Sequence, residues 1–363
     1  MLFQRTRAPE RKENPRVQQN RIPVNLYITA IAALLLSGTA NAQDRVYPNN
    51  GVAASGKIVQ LTPDSVKIEV RSKNQDYELH DVRKIQFSGE PKELDRARDA
   101  FAVEQFEQAL DEIKKIDAGK IKNSLVRQDV EFYRYFCLGK LALSGQGDKA
   151  SAIRGLVALQ NLNSNSHHLY EISEMLGALA MAIGKPDQAA RFYGKLTSAK
   201  HGDTKALGIY RLGEVELTQG NAADARKRFL QLVSISSNSA EMQKLKRLGQ
   251  VGLASCEIVE GKHDAALQKL NTLVKNNDST NQELFARIYN AMGAAYLAQG
   301  ESVQALLSYL KTDYLYFKES EAHAEALYHL KKLFPQVGEN GKAADAGARL
   351  NSKYGSSVWA NKS

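Results

Sequence analysis

One short phrase recurs along this chain and restricts its fold more than anything else in the sequence. A small residue is followed by a glycine seven positions later and an alanine five beyond that. It reads Leu176-Gly177, Gly184, Ala189; Leu212-Gly213, Gly220, Ala225; Leu253-Ala254, Gly261, Ala266; and Met292-Gly293, Gly300, Ala305. The inner spacing is constant, while successive copies start 36, 41 and 39 residues apart. A constant unit with variable joints marks a solenoid of helical repeats, in which each unit buries its apolar face against its neighbours.

Each unit carries two apolar stripes at offsets of three and four, the period of one helix face. In one unit the first stripe is Ile209, Leu212, Gly213 and Leu217, and the second is Ala222, Ala225, Phe229 and Leu232. The glycine between them ends the first helix where a left-handed backbone is needed. Asn221 after Gly220, or Pro186 after Gly184-Lys185, suits the turn and the start of the next helix. Small residues at 213 and 225 let the two helices approach, with the aromatic at 229 filling the space beyond.

This pattern resembles the tetratricopeptide repeat (TPR). Tyr289, Met292-Gly293, Tyr296, Gly300, Ala305, Tyr309 and Thr312 supply nearly the whole consensus. Leu176-Gly177, Ala180, Gly184-Lys185-Pro186, Ala189, Tyr193 and Leu196 come almost as close. Weaker copies flank these: Ala97, Ala100, Phe106, Ala109, Ile113 and Ile116; Leu138-Gly139, Ala142, Ala152, Leu156 and Leu159; and a degenerate last unit of Leu327, Leu330, Phe334, Ala343 and Leu350. The closing proline is missing and the joints exceed the usual length of about 34 residues. The expected fold is mainly α, a TPR-type solenoid of about seven helix pairs over residues 91–354, followed by an irregular tail, 355–363. Trp359, the one tryptophan, is expected to plug the open end.

Residues 1–42 read as a secretory signal peptide. Arg5, Arg7, Arg11, Lys12, Arg16 and Arg21 precede an apolar core from Leu26 to Leu36, and Ala40-Asn41-Ala42 forms a small-x-small cleavage site. An uncleaved anchor is the alternative, although the core is short for a membrane span. The chain is +9 overall, but four of those charges leave with the leader. The small remainder suits a solvated solenoid surface and argues against nucleic acid as a partner. The expected location is the bacterial envelope, periplasmic or extracellular, with no stable membrane insertion after cleavage.

From 43 to 90 the period shortens to that of strands. Gly56–Leu61 and Val66–Val70 are separated by Thr62-Pro63-Asp64; Lys73–Asp76 reads as a turn; Tyr77–Leu79 and Val82–Phe87 continue, and Arg45–Tyr47 adds an edge. A small antiparallel barrel, weakly similar to SH3-like or Sm-like modules, is expected to pack on the first repeat as a cap. A second binding surface is the alternative role.

Signatures of catalysis are missing. There is no Gly-x-Ser-x-Gly, no His-Glu-x-x-His and no phosphate-binding glycine loop. His167-His168 are adjacent and expected to face apart, so neither a metal nor a cofactor is expected. Glu257 and Glu260 share a helix face without a recognisable cleft. Cys137 and Cys256 lie in distant units and read as separate core residues. Arg226-Lys227-Arg228 and Lys244, Lys246-Arg247 read as solvated surface.

The resemblance implies that partners bind in the concave groove lined by each unit's first helix. The corresponding positions are Glu174, Ala178 and Met181; Tyr210, Glu214 and Leu217; Val251, Ser255 and Ile258; and Arg287, Asn290, Ala294 and Leu297. This set is mostly apolar with sparse charge, and suits an amphipathic protein or peptide segment. The candidate partner-binding residues are Met181, Tyr210, Glu214, Leu217, Ile258, Arg287, Asn290 and Leu297. The implied function is an exported, non-catalytic scaffold for envelope proteins, with homo-oligomerisation open; a ligand or polymer binder acting through the β module is the alternative.

Overall fold

A computed structural model describes residues 43–362; the expected leader, 1–42, lies outside the described residues. Fourteen α-helices among these residues form seven antiparallel pairs. They are α1 (Lys92–Ala102) with α2 (Phe106–Lys114), α3 (Ser124–Leu143) with α4 (Lys149–Leu162), α5 (Leu169–Ala182) with α6 (Pro186–Leu196), and α7 (Gly202–Thr218) with α8 (Ala222–Ser234). There follow α9 (Ala240–Val259) with α10 (His263–Asn276), α11 (Gln282–Ala298) with α12 (Ser302–Leu315), and α13 (Ser320–Leu333) with α14 (Asn340–Tyr354).

Local chemistry sets the boundaries. The turn glycines Gly184, Gly220, Gly261 and Gly300 have φ of +69° to +80°, the left-handed geometry inferred from the repeat. Asp148, Ser239 and Asn281 cap the next helices, their side chains accepting hydrogen bonds from the N–H groups of Ala150, Met242 and Leu284. In three of the four phrases the small residue seats an aromatic: Gly177 lies against Tyr193, Gly213 against Phe229 and Gly293 against Tyr309. Those rings are almost wholly buried.

The N-terminal module holds five antiparallel strands: β1 (Asp44–Pro48), β2 (Ala54–Leu61), β3 (Ser65–Val70), β4 (Lys73–Glu78) and β5 (Val82–Gln86). Their order is β4-β3-β2-β1-β5, so Arg45–Tyr47 belongs to an inner strand rather than an edge. The first half of β2 pairs with β1 and the second half with β3, with a bulge at Val59 within the β2–β3 pairing. Lys73–Asp76 is strand, not turn. The chain reverses instead at Arg71-Ser72, both left-handed (φ 49° and 63°), the backbone of a two-residue hairpin loop.

The sheet and the first helices share one core. Val46, Val66, Ile68, Ile85 and Phe87 pack with Leu94 and Ala97 of α1, Ile113 of α2 and Val126 and Val130 of α3. The module thus caps the first repeat. It also reaches further than expected: Asp64 accepts hydrogen bonds from the Tyr170 hydroxyl and the Lys200 N–H, and His80 stacks on His201.

The solenoid has no free far end. Beyond α14 the tail crosses to the second and third pairs, where the Val358 N–H donates to the Ala182 carbonyl at 3.2 Å and Lys149 Nζ donates to Ser356 Oγ at 2.6 Å. Trp359 packs on the rings of Tyr328 and His329 in the last pair, but with the tail carried across there is no open end for it to plug. Distant units were not expected to touch, but the superhelix turns far enough to close on itself. Cys137 and Cys256 are separate, free and buried, and burial pushes their thiols up to about 12 and about 11.

Candidate functional site

Closure turns the concave groove into a central hollow with two lobes. The first helices of successive pairs supply its walls, because the position facing the axis recurs once per repeat. One lobe, about 330 Å³, lies among α5, α7, α11, α13 and the tail, with Glu174, Arg211, Lys318 and Glu319 on its walls. The other, about 270 Å³, is lined by Tyr210, Leu217, Ile258, Asn290 and Glu325. Arg287 and Glu321 border both.

The walls are far more charged than the sequence suggested. Arg211 donates to Glu174 at 3.0 Å and to Glu214 at 3.1 Å. Arg287 bonds the other oxygen of Glu214 and lies 3.9 Å from Glu283 and 4.0 Å from Glu321. Both guanidiniums sit over the Tyr210 ring, at 5.6 and 5.8 Å. Lys244 pairs with Glu283 at 2.9 Å, so this lysine serves the lattice rather than bare surface. Burial would raise the Glu283 carboxyl, but Arg287, Arg211 and Lys244 together hold it down to about 2.

The α13 carboxyls behave oppositely. Burial pushes Glu325 up to about 7, opposed by the Asn290 hydrogen bond and reinforced by the charge of Glu321. Glu321 is raised in the same direction by its position deep in the hollow, with Arg287 pulling it down, but its side chain keeps 54% of its surface open to solvent, so the effect there is screened. Asn290 is 3% exposed; its Nδ2 donates to the Ala322 carbonyl at 2.8 Å and to Glu325 at 2.9 Å. Its Oδ1 is buried without a hydrogen-bond partner. One end of the hollow therefore carries the Glu325 carboxyl, which ionises with difficulty, close to Glu321 and to a buried acceptor without a partner.

Six of the eight candidate residues meet here: Tyr210, Glu214, Leu217, Ile258, Arg287 and Asn290. Met181 and Leu297 do not. Met181 packs with Ala180, Ala189 and Tyr193 between α5 and α6, and Leu297 packs into the core of the last pairs. Sequence reasoning passed over Arg211, Glu283, Glu321 and Glu325. The Glu283 to Arg287 spacing of four was the available signal.

Elsewhere, charges expected at the surface are paired. Arg226 binds Glu260, Lys227 binds Asp224, Arg228 binds Glu216, and Glu257 takes Lys269. A second polar cluster overturns one expectation. His167 and His168 do not face apart: both Nε2 atoms lie 3.1 Å from Asp129 Oδ1. They sit in the turn before α5, not within a helix, so helical spacing does not separate them. The other Asp129 oxygen accepts from Arg98 at 2.7 Å, and Arg98 also donates to Glu90 at 2.7 Å. Burial works against the Asp129 charge, but the hydrogen bonds from the two histidines hold its carboxyl well below the usual range. Burial, with His167 adjacent, lowers His168 to about 4.

The fold has solved counterparts. A tetratricopeptide repeat protein from Parabacteroides merdae is similar over 72% of this chain and 92% of its own, at 17% identity and a TM-score of 0.50. A Rap protein solved with competence and sporulation factor is similar over 74% of this chain and 76% of its own, at 17% identity and a TM-score of 0.52. No protein-family model matches the sequence, and no curated protein matches it significantly. At such identities the likeness shows the architecture alone: the chain has the tetratricopeptide-repeat fold with a five-stranded β module in front.

Proposed function

We propose that this chain is an exported, non-catalytic scaffold of the cell envelope that holds a peptide segment of a protein partner in its central hollow. The observation that carries the reading is the charge imbalance there. In the lobe beside Asn290, the lining carboxyls of Glu214, Glu321 and Glu325 face Arg287, the single lining cation among the described residues, and the excess is concentrated at Glu321 and Glu325. A lysine, arginine or terminal amine from a partner would complete that lattice. Tyr210, Leu217 and Ile258 offer apolar contact beside it. The similar Rap structure holds the competence and sporulation factor, which supports a bound segment in such a fold. Export is supported by the basic, apolar and Ala-x-Ala order of residues 1–42. Among the described residues no helix is long and apolar enough to cross a membrane.

Calorimetry with an extended octapeptide carrying one central lysine between leucines tests the site. Binding should be lost when that lysine becomes glutamate, and should weaken about tenfold in Glu321→Gln/Glu325→Gln, a change of about 1.4 kcal/mol. A peptide indifferent to both changes would contradict the reading. Export is tested separately by N-terminal sequencing of chain recovered from a bacterial envelope fraction: Gln43 is the expected first residue, and an intact Met1 terminus would contradict cleavage.

A further inference from the structure

Away from the hollow, Asp129, His167 and His168 form a compact set of ligating atoms, all lying within 4.8 Å of one another. We propose that this trio is a binding site for a first-row divalent transition metal ion, with Zn²⁺ as the preferred occupant. Two imidazole nitrogens and one carboxylate oxygen are the donor set that suits such ions. The two nitrogen-to-oxygen separations are 3.1 Å each. Adjacent corners of a tetrahedron or octahedron with bonds of about 2.1 Å lie about 3.0 to 3.4 Å apart, so both imidazole-to-carboxylate separations are already at coordination spacing.

The surroundings hold the ligands as a metal site requires. Asp129 is 2% exposed, His167 5% and His168 8%. The His168 ring lies flat on Phe132 at 3.5 Å, and His167 meets the edge of Phe87 at 6.0 Å, which fixes both rings. Arg98 grips the second Asp129 oxygen and is itself held by Glu90, whose other oxygen accepts the Phe87 N–H. Such outer partners orient ligands and raise affinity. One side of the trio opens on a cavity of about 630 Å³ between the β module and the first repeats, where Glu171 and Tyr133 also lie. Water or Glu171 can fill the remaining coordination positions from there.

A comparison within the chain separates this site from a purely structural network. Asp313 also binds a histidine and an arginine, but Arg349 occupies both of its oxygens and His323 is its one imidazole, its other nitrogen bonded to the Tyr354 hydroxyl. That arrangement leaves no second nitrogen for an ion. The two clusters therefore make a built-in control.

The test uses the purified full-length chain stripped with chelator and titrated with Zn²⁺ and, separately, Co²⁺. The site predicts one Zn²⁺ per chain, a rise in melting temperature, and a visible Co²⁺ absorption band displaced by Zn²⁺. His167→Asn/His168→Asn should weaken zinc binding roughly 100-fold or more, while His323→Asn should leave the stoichiometry unchanged. Absence of both stoichiometric zinc and the cobalt band in the folded wild-type chain would overturn the proposal, whether or not any variant folds. So would zinc binding lost on His323→Asn but retained in the double variant.

Discussion

A methyl group added at Gly293 would lie 2.6 Å from Tyr309 Cε2, whereas one added at Gly300 would meet nothing within 4 Å. The two glycines recur together in the sequence but are required for different reasons, close packing in the first case and a φ of +79° in the second. Gly293→Ala should cost about 1 to 3 kcal/mol through overpacking, and Gly300→Ala about 1 to 2 kcal/mol through backbone strain. Urea unfolding of double variants with Tyr309→Leu distinguishes them. Gly293→Ala should be coupled to the tyrosine by more than about 0.5 kcal/mol, and Gly300→Ala should simply add. Glu325 makes a second residue-scale prediction. Its folded carboxyl titrates at about 7, well above an unfolded glutamate, so between those values the folded state binds the extra proton. Stability present at low pH is lost as pH rises through 7. Glu325→Gln should match wild type near pH 4.5 and exceed it above pH 8, by about 2 kcal/mol after allowance for partial exposure. A variant no more stable than wild type above pH 8 would contradict this.

Individual helices depend on pairing, and the β module is no exception. It contributes Val46, Val66, Ile68, Ile85 and Phe87 to a core shared with α1, α2 and α3, so neither side is complete alone. Deleting residues 43–90 should abolish slow amide exchange in α1–α3 while leaving that of α8–α11 largely intact, as expected where each repeat leans on its neighbours. Uniform loss along the whole solenoid would contradict this. The helices were legible in the sequence because glycine, alanine and aromatic positions encode a local geometry that each unit repeats. The strands were less so. Arg71-Ser72 reverses the chain without glycine, asparagine or aspartate, and nothing local marks it as a hairpin loop. The inner place of β1 depends on pairing with β5, almost forty residues away in sequence, which alternation cannot reveal. His167 and His168 converge on Asp129 because they lie in a turn, where the angular separation of adjacent helical residues does not hold.

At the scale of the molecule, the sequence predicts a spool but not its closure. Curvature comes from joint lengths and helix tilts that accumulate over seven pairs, and Lys149 meets Ser356 across 207 positions. The charged lattice was hidden for the same reason: Arg287 meets Glu214 across 73 positions, and only the turn of the superhelix brings them together. Everything argued for the central hollow rests on that closure. It is tested directly by pairing Gly184→Cys with Val358→Cys, since a Cβ at 184 lies 4.0 Å from the Val358 Cβ, within the span of about 3.5 to 4.5 Å that a disulfide bridges. Cys137 and Cys256 are buried and will not compete. Mild oxidation of the folded monomer should form the intramolecular bond nearly completely, read by mass spectrometry of the linked peptides. Free thiols at both positions, or bonds formed only between chains, would mean that the solenoid is open and that the hollow does not exist.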